Sequence, residues 1–108
     1  MKMKNLVKAA IVLSDSPGAA KGVQAGDLIL NFAGVDWTTG DFNRNIVAET
    51  AETEKTLIFA RKQEDGSFII FEHTFPAGRI GLHMMDFWGE MTEYGQVLED
   101  YKEFMTEG

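Results

Sequence analysis

Short apolar runs separated by turn residues fill the first half of the chain. Residues 6–13 are rich in Val, Ile and Leu, which is typical of a strand, and the Ser-Asp-Ser-Pro-Gly cluster at 14–18 predicts a turn. Residues 19–21 suffice for one short helical turn. Residues 27–32 alternate around Leu28 and Leu30 and predict a strand that is buried on both sides near its middle.

A hairpin is predicted further along. Residues 56–61 form one strand, Asp65-Gly66 is a strong hairpin-turn signal, and residues 68–75 return. One face of the returning strand carries Phe71, His73 and Phe75 together with Ile69. Pro76 ends it, and residues 80–87 predict a further strand.

Two longer helices are predicted. Thr38 followed by Asp41 matches a capping box, and we expect a helix from there to about Ala51, with Phe42, Ile46 and Val47 as its apolar stripe. At 92–105 the apolar residues recur at helical spacing and predict an amphipathic helix with an acidic outer face. They are Tyr94, Val97, Leu98, Tyr101, Phe104 and Met105. The expected fold is a small, mostly β, α+β domain.

The composition is that of one globular domain. The chain has 108 residues, of which 44% are hydrophobic and 25% charged. We divide it into a body, residues 1–88, and a C-terminal helix, residues 89–108. Cysteine is absent, which excludes a disulfide scaffold, a thiolate zinc site and a cysteine nucleophile. With no G-x-S-x-G, metalloprotease or phosphate-loop motif, we expect no enzyme activity, no metal and no cofactor.

The net charge of −7 is concentrated in the tail, where residues 86–108 carry seven acidic residues against Lys102 alone. An acidic chain without a basic stripe is a poor candidate for nucleic acid or anionic membranes. The N-terminus has Lys2 and Lys4, but the apolar stretch behind them is short and contains Lys8, so no signal peptide is predicted. We expect a cytoplasmic protein, or a periplasmic one if the chain is a piece of a larger secreted protein.

Residues 16–34 read Ser-Pro-Gly-Ala-Ala-Lys-Gly-Val-Gln-Ala-Gly-Asp-Leu-Ile-Leu-Asn-Phe-Ala-Gly. This run resembles the centre of a PDZ domain of the bacterial HtrA-like kind. In that family a short helical turn leads to Gly-Asp and a hydrophobic strand, then a Gly turn, and then the helix that flanks the peptide groove. The predicted hairpin continues the match, so the resemblance covers roughly residues 6–87.

The chain departs from the PDZ pattern at its front. The family usually begins with a strand, a carboxylate-binding X-Φ-G-Φ loop and a groove strand, for which too few residues precede Ser16. However, Arg79-Ile80-Gly81-Leu82 fits X-Φ-G-Φ and is followed by an apolar strand. The resemblance therefore implies a circularly permuted domain, with strand 68–75 in place of the usual first strand. The alternative is a fragment that lacks its first strands.

The resemblance implies a site that binds peptide C-termini with an apolar last residue by β-strand addition. The implied carboxylate loop is Gly78, Arg79, Ile80, Gly81 and Leu82. Met84 of the groove strand and Phe42, Ile46 and Glu49 of the helix would line the groove. A glycine at 81 suits such a loop, because successive amides can then turn toward one anion.

Other interpretations of the same residues remain open. The apolar residues of the implied site are equally consistent with core positions, and Arg79 with a solvated loop. His73 and His83 are consistent with packed or surface histidines that have no functional role. Phe87 and Trp88 favour docking of the tail helix on bare sheet, but this helix could also mediate a homo-oligomer through residues 92–105 or occupy the groove. The rival functions are accordingly an assembly domain with a self-occupied groove, and a regulatory domain of a protease system.

Overall fold

The computed structural model describes residues 2–39 and 44–107. Within them, six strands form one antiparallel sheet and three helices pack around it, which confirms the α+β, mostly β prediction. The strands are β1 (Met3–Val12), β2 (Leu28–Phe32), β3 (Val35–Asp36), β4 (Lys55–Lys62), β5 (Phe68–Phe75) and β6 (Leu82–Glu90). The helices are α1 (Pro17–Ala20), α2 (Asn45–Glu49) and α3 (Met91–Glu107).

The sheet has the order β5-β4-β2-β1-β6, and β3 pairs with β2 to one side of this path. The two edge strands of the main path are therefore β5 and β6. Strand β6 pairs with β1 from Leu82 opposite Val12 to Glu90 opposite Met3. The register shifts once, between Ala9 and Ile11 of β1.

Most predicted elements lie where the sequence pattern puts them, and β5 has the predicted bounds. The helix predicted from Thr38 to about Ala51 is the exception, because only Asn45–Glu49 of the described residues are helical there. At its C-terminal end, the Thr50 hydroxyl donates to the Ile46 carbonyl at 2.6 Å. The predicted capping box includes Asp41, which lies outside the described residues. The Thr38 hydroxyl donates to Asp36 at 2.6 Å.

Each face of the sheet has its own apolar cluster. One cluster lies against α2 and includes Val7, Ile29, Phe32, Trp37, Leu57, Phe59, Phe75, Ile80 and Leu82. The other lies against α3 and includes Leu28, Leu30, Ile58, Ala60, Val97 and Tyr101. Strand alternation explains the split, because successive side chains of β2 and β4 point to opposite faces. The strand predicted to be buried on both sides, β2, is buried along its whole length.

A register shift in β2 joins the sheet to the tail helix. The pairing of β2 with β4 shifts between Ile29 and Asn31. The side-chain amide of Asn31 donates to the Tyr101 hydroxyl of α3 at 3.1 Å, and both residues are buried. Burial raises the pKa of Tyr101. This contact holds α3 against the middle of the sheet.

The Gly-Asp pair of the sequence motif has a structural role. Asp27 is buried and receives two hydrogen bonds from Arg61 of β4, at 2.9 and 2.7 Å. Its Oδ2 also accepts from the Gln24 amide at 2.8 Å. The hydrogen bond from Arg61 satisfies the buried carboxylate and raises the pKa of the arginine. The turn before β2 is thereby joined to β4.

Candidate functional site

A cavity of about 610 Å³ opens between the start of β6 and the C-terminal end of α2. Its floor includes Phe32, and its surface is mainly apolar. The α2 side contributes Val47 and Ala51, the latter just past the helix end. The β6 side contributes Gly78, Arg79, Ile80, Gly81, Leu82 and Met84. Two segments far apart in sequence thus form opposite walls of one cavity.

The loop before β6 is shaped by a glycine. Gly81 has φ +78°, a left-handed conformation that residues with a Cβ rarely adopt. A Cβ at this position would also collide with the Ser16 side chain. Ser16 is itself fixed as the N-cap of α1, because its hydroxyl accepts from the Ala19 amide at 3.2 Å and donates to the Leu13 carbonyl at 2.6 Å. The Ser-Pro cluster of the motif therefore supports the loop.

Two carbonyl groups of this loop, those of Ile80 and Gly81, point toward α1 and the end of β1. The Ile80 carbonyl accepts from the Gly18 amide at 2.8 Å, and the Gly81 carbonyl accepts from the Leu13 amide at 2.9 Å. In a trans peptide the N–H points opposite to the C=O. The amides of Gly81 and Leu82 therefore point away from these supports. No described residue accepts a hydrogen bond from the amide of Ile80 or Gly81.

A buried lysine joins the two sides of the cavity. Lys55 is only 5% exposed, and its Nζ donates to the carbonyls of Thr50, Thr53 and Gly78 at 3.1, 3.2 and 3.3 Å. The first two carbonyls follow α2, and the third begins the loop. The Gly78 amide also donates to the Ala51 carbonyl at 2.7 Å. The loop is therefore held through both backbone groups of Gly78: its amide bonds to the Ala51 carbonyl and its carbonyl to the Lys55 ammonium group.

Four charged residues line this cavity: the cations Lys55 and Arg79, and the acids Asp15 and Glu52. Among the described residues, no carboxylate lies within ion-pair distance of either cation. Among the described residues, the Lys55 ammonium group donates hydrogen bonds to three backbone carbonyls and to no carboxylate. The four charges of the lining balance, so a carboxylate bound at the loop would depend on the local amides and on Arg79 rather than on a net positive charge of the cavity.

The structure brings together most of the residues expected at the site, but not all of them. The loop residues and Met84 line the cavity. Ile46 is half-buried against the α2-side core and does not line it. Glu49 is exposed on α2, and the acidic residue nearest the cavity on that side is Glu52. Phe42 lies outside the described residues.

The edge strand β6 borders the cavity and extends beyond it. Its pairing with β1 occupies one edge, and β6 ends the strand order of the described sheet. Helix α3 lies on the opposite face from the cavity, where Val97, Leu98 and Tyr101 are buried. Phe87 packs with this helix as expected from its position. Trp88, in contrast, does not belong to this cluster and is 65% exposed.

The two histidines lie in different surroundings. His73 packs among Phe59, Phe71 and Phe75, with ring centroids 5.3 to 6.3 Å apart. Burial, helped by Lys21 and Arg61, lowers its pKa. His83 is exposed. In residues 2–39 and 44–107, no group of three or more His, Asp or Glu could hold a metal ion. None of the helices in this part of the chain is long and apolar enough to span a membrane.

No protein-family model matches the chain, and neither a curated protein nor a solved structure shows significant similarity to it. The resemblance of residues 6–87 to PDZ domains therefore stays a prediction. The geometry adds one residue that sequence reasoning missed, Lys55. A lysine at the start of a strand carries no signal of burial, since the three carbonyls that satisfy it come from separate segments.

Proposed function

We propose that this protein is a non-enzymatic peptide-recognition module that binds the C-terminal segments of other proteins. The ligand adds as an antiparallel strand to β6 and places its carboxylate at the loop before β6. The observation that carries this proposal is the direction of the Gly81 and Leu82 amides. They point away from their supports, beside an apolar cavity and at the end of an edge strand.

The loop offers the chemistry that a carboxylate requires. Amide groups that converge on one point form an anion-binding concavity, and a glycine with positive φ lets the backbone adopt that shape. Gly81 has this conformation. Arg79 strengthens binding by a charge-assisted hydrogen bond or through its field, because no described acid neutralises it.

The cavity favours an apolar last residue on the ligand. Ile80 of the loop and Leu82 and Met84, which alternate along β6, border the cavity, as do Val47 and Ala51 of the α2 side. A Leu, Ile or Val side chain gains free energy by leaving water there. A dissociation constant in the micromolar range, about −8 kcal/mol, is the expected affinity for so small a groove.

The order of elements supports a permuted PDZ-like arrangement. Strand β5 leads into the Arg79–Leu82 loop, the loop into edge strand β6, and β6 pairs with β1. Helix α2 lies between β3 and β4, the place that the resemblance assigns to the groove helix. This placement agrees with the role expected for X-Φ-G-Φ, although the motif follows the PDZ-like centre in the sequence.

The direct test compares peptides that differ only at the C-terminus. A pool of eight-residue peptides ending in Leu, Ile or Val is titrated as free carboxylates and as amides, with affinity followed by fluorescence anisotropy. We expect saturable binding of free carboxylates and at least tenfold weaker binding of amides. Equal affinity of the two pools, or no binding of either, would refute the proposal.

A charge reversal at the loop locates the site. Arg79→Glu should weaken carboxylate binding by about tenfold, or about 1.4 kcal/mol, because it replaces attraction by repulsion. Lys102→Glu is the matched control, since it changes the net charge equally on an exposed position of α3. Equal loss in both variants would indicate a general charge effect instead. Gly81 is a poorer probe, because any side chain there collides with Ser16.

A further inference from the structure

Strand β6 continues well beyond the cavity. Met84 is its last residue at the cavity, and the strand extends to Glu90. From Met84 to Glu90 it pairs with β1 residue by residue, opposite Ala9 to Met3, with no register shift. An added strand therefore has a regular template along the whole of this edge.

The side of β6 that borders the cavity carries an exposed tryptophan. Phe87 packs against the α3-side core, and a Cβ at Gly89 would meet Tyr94 of α3. Both residues thus face α3. Because side chains alternate along a strand, Asp86, Trp88 and Glu90 face the other side, like Met84. The protein's other tryptophan, Trp37, is only 1% exposed, whereas Trp88 is 65% exposed.

The neighbours of Trp88 make this surface suitable for a cation. Asp86 and Glu90 lie two residues away on either side of it and on the same face. Arg44 approaches Asp86 at 3.6 Å, which shows that a guanidinium group reaches this face of the strand. The indole face is the aromatic surface that attracts ammonium and guanidinium groups most strongly.

The register of an added strand fixes which ligand residue reaches this surface. With the ligand carboxylate at the Gly81 and Leu82 amides, the last residue lies opposite Leu82. Trp88 is six residues further along, roughly 20 Å at 3.3 Å per residue. Residues directly opposite each other in an antiparallel pair project on the same face.

We propose that the groove has a second subsite, formed by Trp88 with Asp86 and Glu90, that binds a Lys or Arg six residues before the ligand's C-terminus. This inference rests on the proposed function, and it extends the ligand from its last few residues to at least seven. The first subsite binds a carboxylate and an apolar side chain, and the second binds a cation.

The test uses two eight-residue peptides with a free carboxylate and an apolar last residue, carrying Arg or Ala six residues before the end. Wild-type protein should bind the Arg peptide about three- to fivefold more tightly. Trp88→Ala should abolish that difference while leaving the affinity for the Ala peptide unchanged. The matched control is Met85→Ala, which removes a side chain of similar exposure on the other face of β6 and should keep the preference.

A shift of the Arg by one position sharpens the result. Five residues before the end, its side chain projects from the opposite face and should bind like Ala. If the Arg and Ala peptides bind equally, or if Trp88→Ala retains the preference, the second subsite is refuted and the C-terminal peptide function stands. If neither peptide binds while both variants stay folded, the proposed function itself fails.

Discussion

The two faces of the sheet are covered to different extents. Helix α3 has 17 residues, roughly 26 Å, and buries Val97, Leu98 and Tyr101 against its face. Helix α2 has five residues, roughly 8 Å, and buries none of them fully. The first face is covered by apolar packing and keeps only a smaller pocket of about 330 Å³ between β5 and the end of α3. The second keeps a cavity of about 610 Å³.

The difference suggests a division between stability and binding. On the α3 face, a polar pair, Asn31 and Tyr101, is buried and satisfied internally. On the α2 face, amides at Ile80 and Gly81 have no acceptor among the described residues. We therefore expect substitutions under α3 to change mainly the free energy of unfolding, and substitutions around the cavity to change mainly affinity.

The largest effect is expected for Tyr101→Ala. It removes a buried ring and the hydrogen bond that satisfies Asn31, so the free energy of unfolding should fall by about 3–5 kcal/mol. Urea denaturation measures the change. A loss below about 1 kcal/mol would contradict the apolar packing of this face.

Lys55→Met should come next, with an effect on both properties. It leaves three carbonyls without their donor and removes one of the two connections between the loop and the segment after α2, so we expect a loss of about 1–3 kcal/mol in stability. The affinity for carboxylate peptides should also fall, even where the variant is fully folded. Denaturation and peptide titration are measured on the same sample, with Lys21→Met as an exposed control. Unchanged affinity would show that Lys55 only stabilises the fold.

A matched pair of truncations compares the two faces directly. Val97→Ala should cost about 2 kcal/mol of stability, because the side chain is fully buried. Val47→Ala should cost less than about 1 kcal/mol, because this side chain is half-buried, but it should weaken binding of peptides with an apolar last residue. Equal stability losses would remove the distinction between the faces.

The smallest effect is a pH dependence from His73. Its pKa is lowered in the folded state, so below pH 6.5 the unfolded chain takes up more protons and stability falls as the pH falls through this window. His73→Phe removes the titrating group and should give a shallower decrease between pH 7 and pH 5. Denaturation midpoints across that range measure it, and identical slopes would contradict the assignment.

The sequence predicted the strands better than the helices around the cavity. Turn signals such as Asp65-Gly66 and Pro76 bound the strands locally, and β5 has the predicted ends. At the end of α2, the hydroxyl and the backbone amide of Thr50 both donate to the Ile46 carbonyl, and apolar periodicity does not indicate this end. Glu49, the last residue of α2, is exposed and does not line the cavity.

Tertiary contacts determine the support of the loop before β6 and the different burial of Phe87 and Trp88, which the sequence pattern did not predict. The loop Arg79–Leu82 was predicted from a resemblance, but its support by Ser16 and Gly18 is visible only in three dimensions. Aromatic character favoured burial of both Phe87 and Trp88. Alternation along β6 allows α3 to cover Phe87 alone, so Trp88 faces the other side.

The pairing of β6 with β1 has a consequence for folding. It joins residues from opposite ends of the chain, whereas β4 and β5 pair across a tight turn. Contacts between distant residues require the closure of a long loop and form slowly compared with local ones. We therefore expect the hairpin to form early and the edge at β6 late. During synthesis, the outer edge of β1 therefore stays unpaired until residues 82–90 have been made, and the binding edge that we propose at β6 forms only after that.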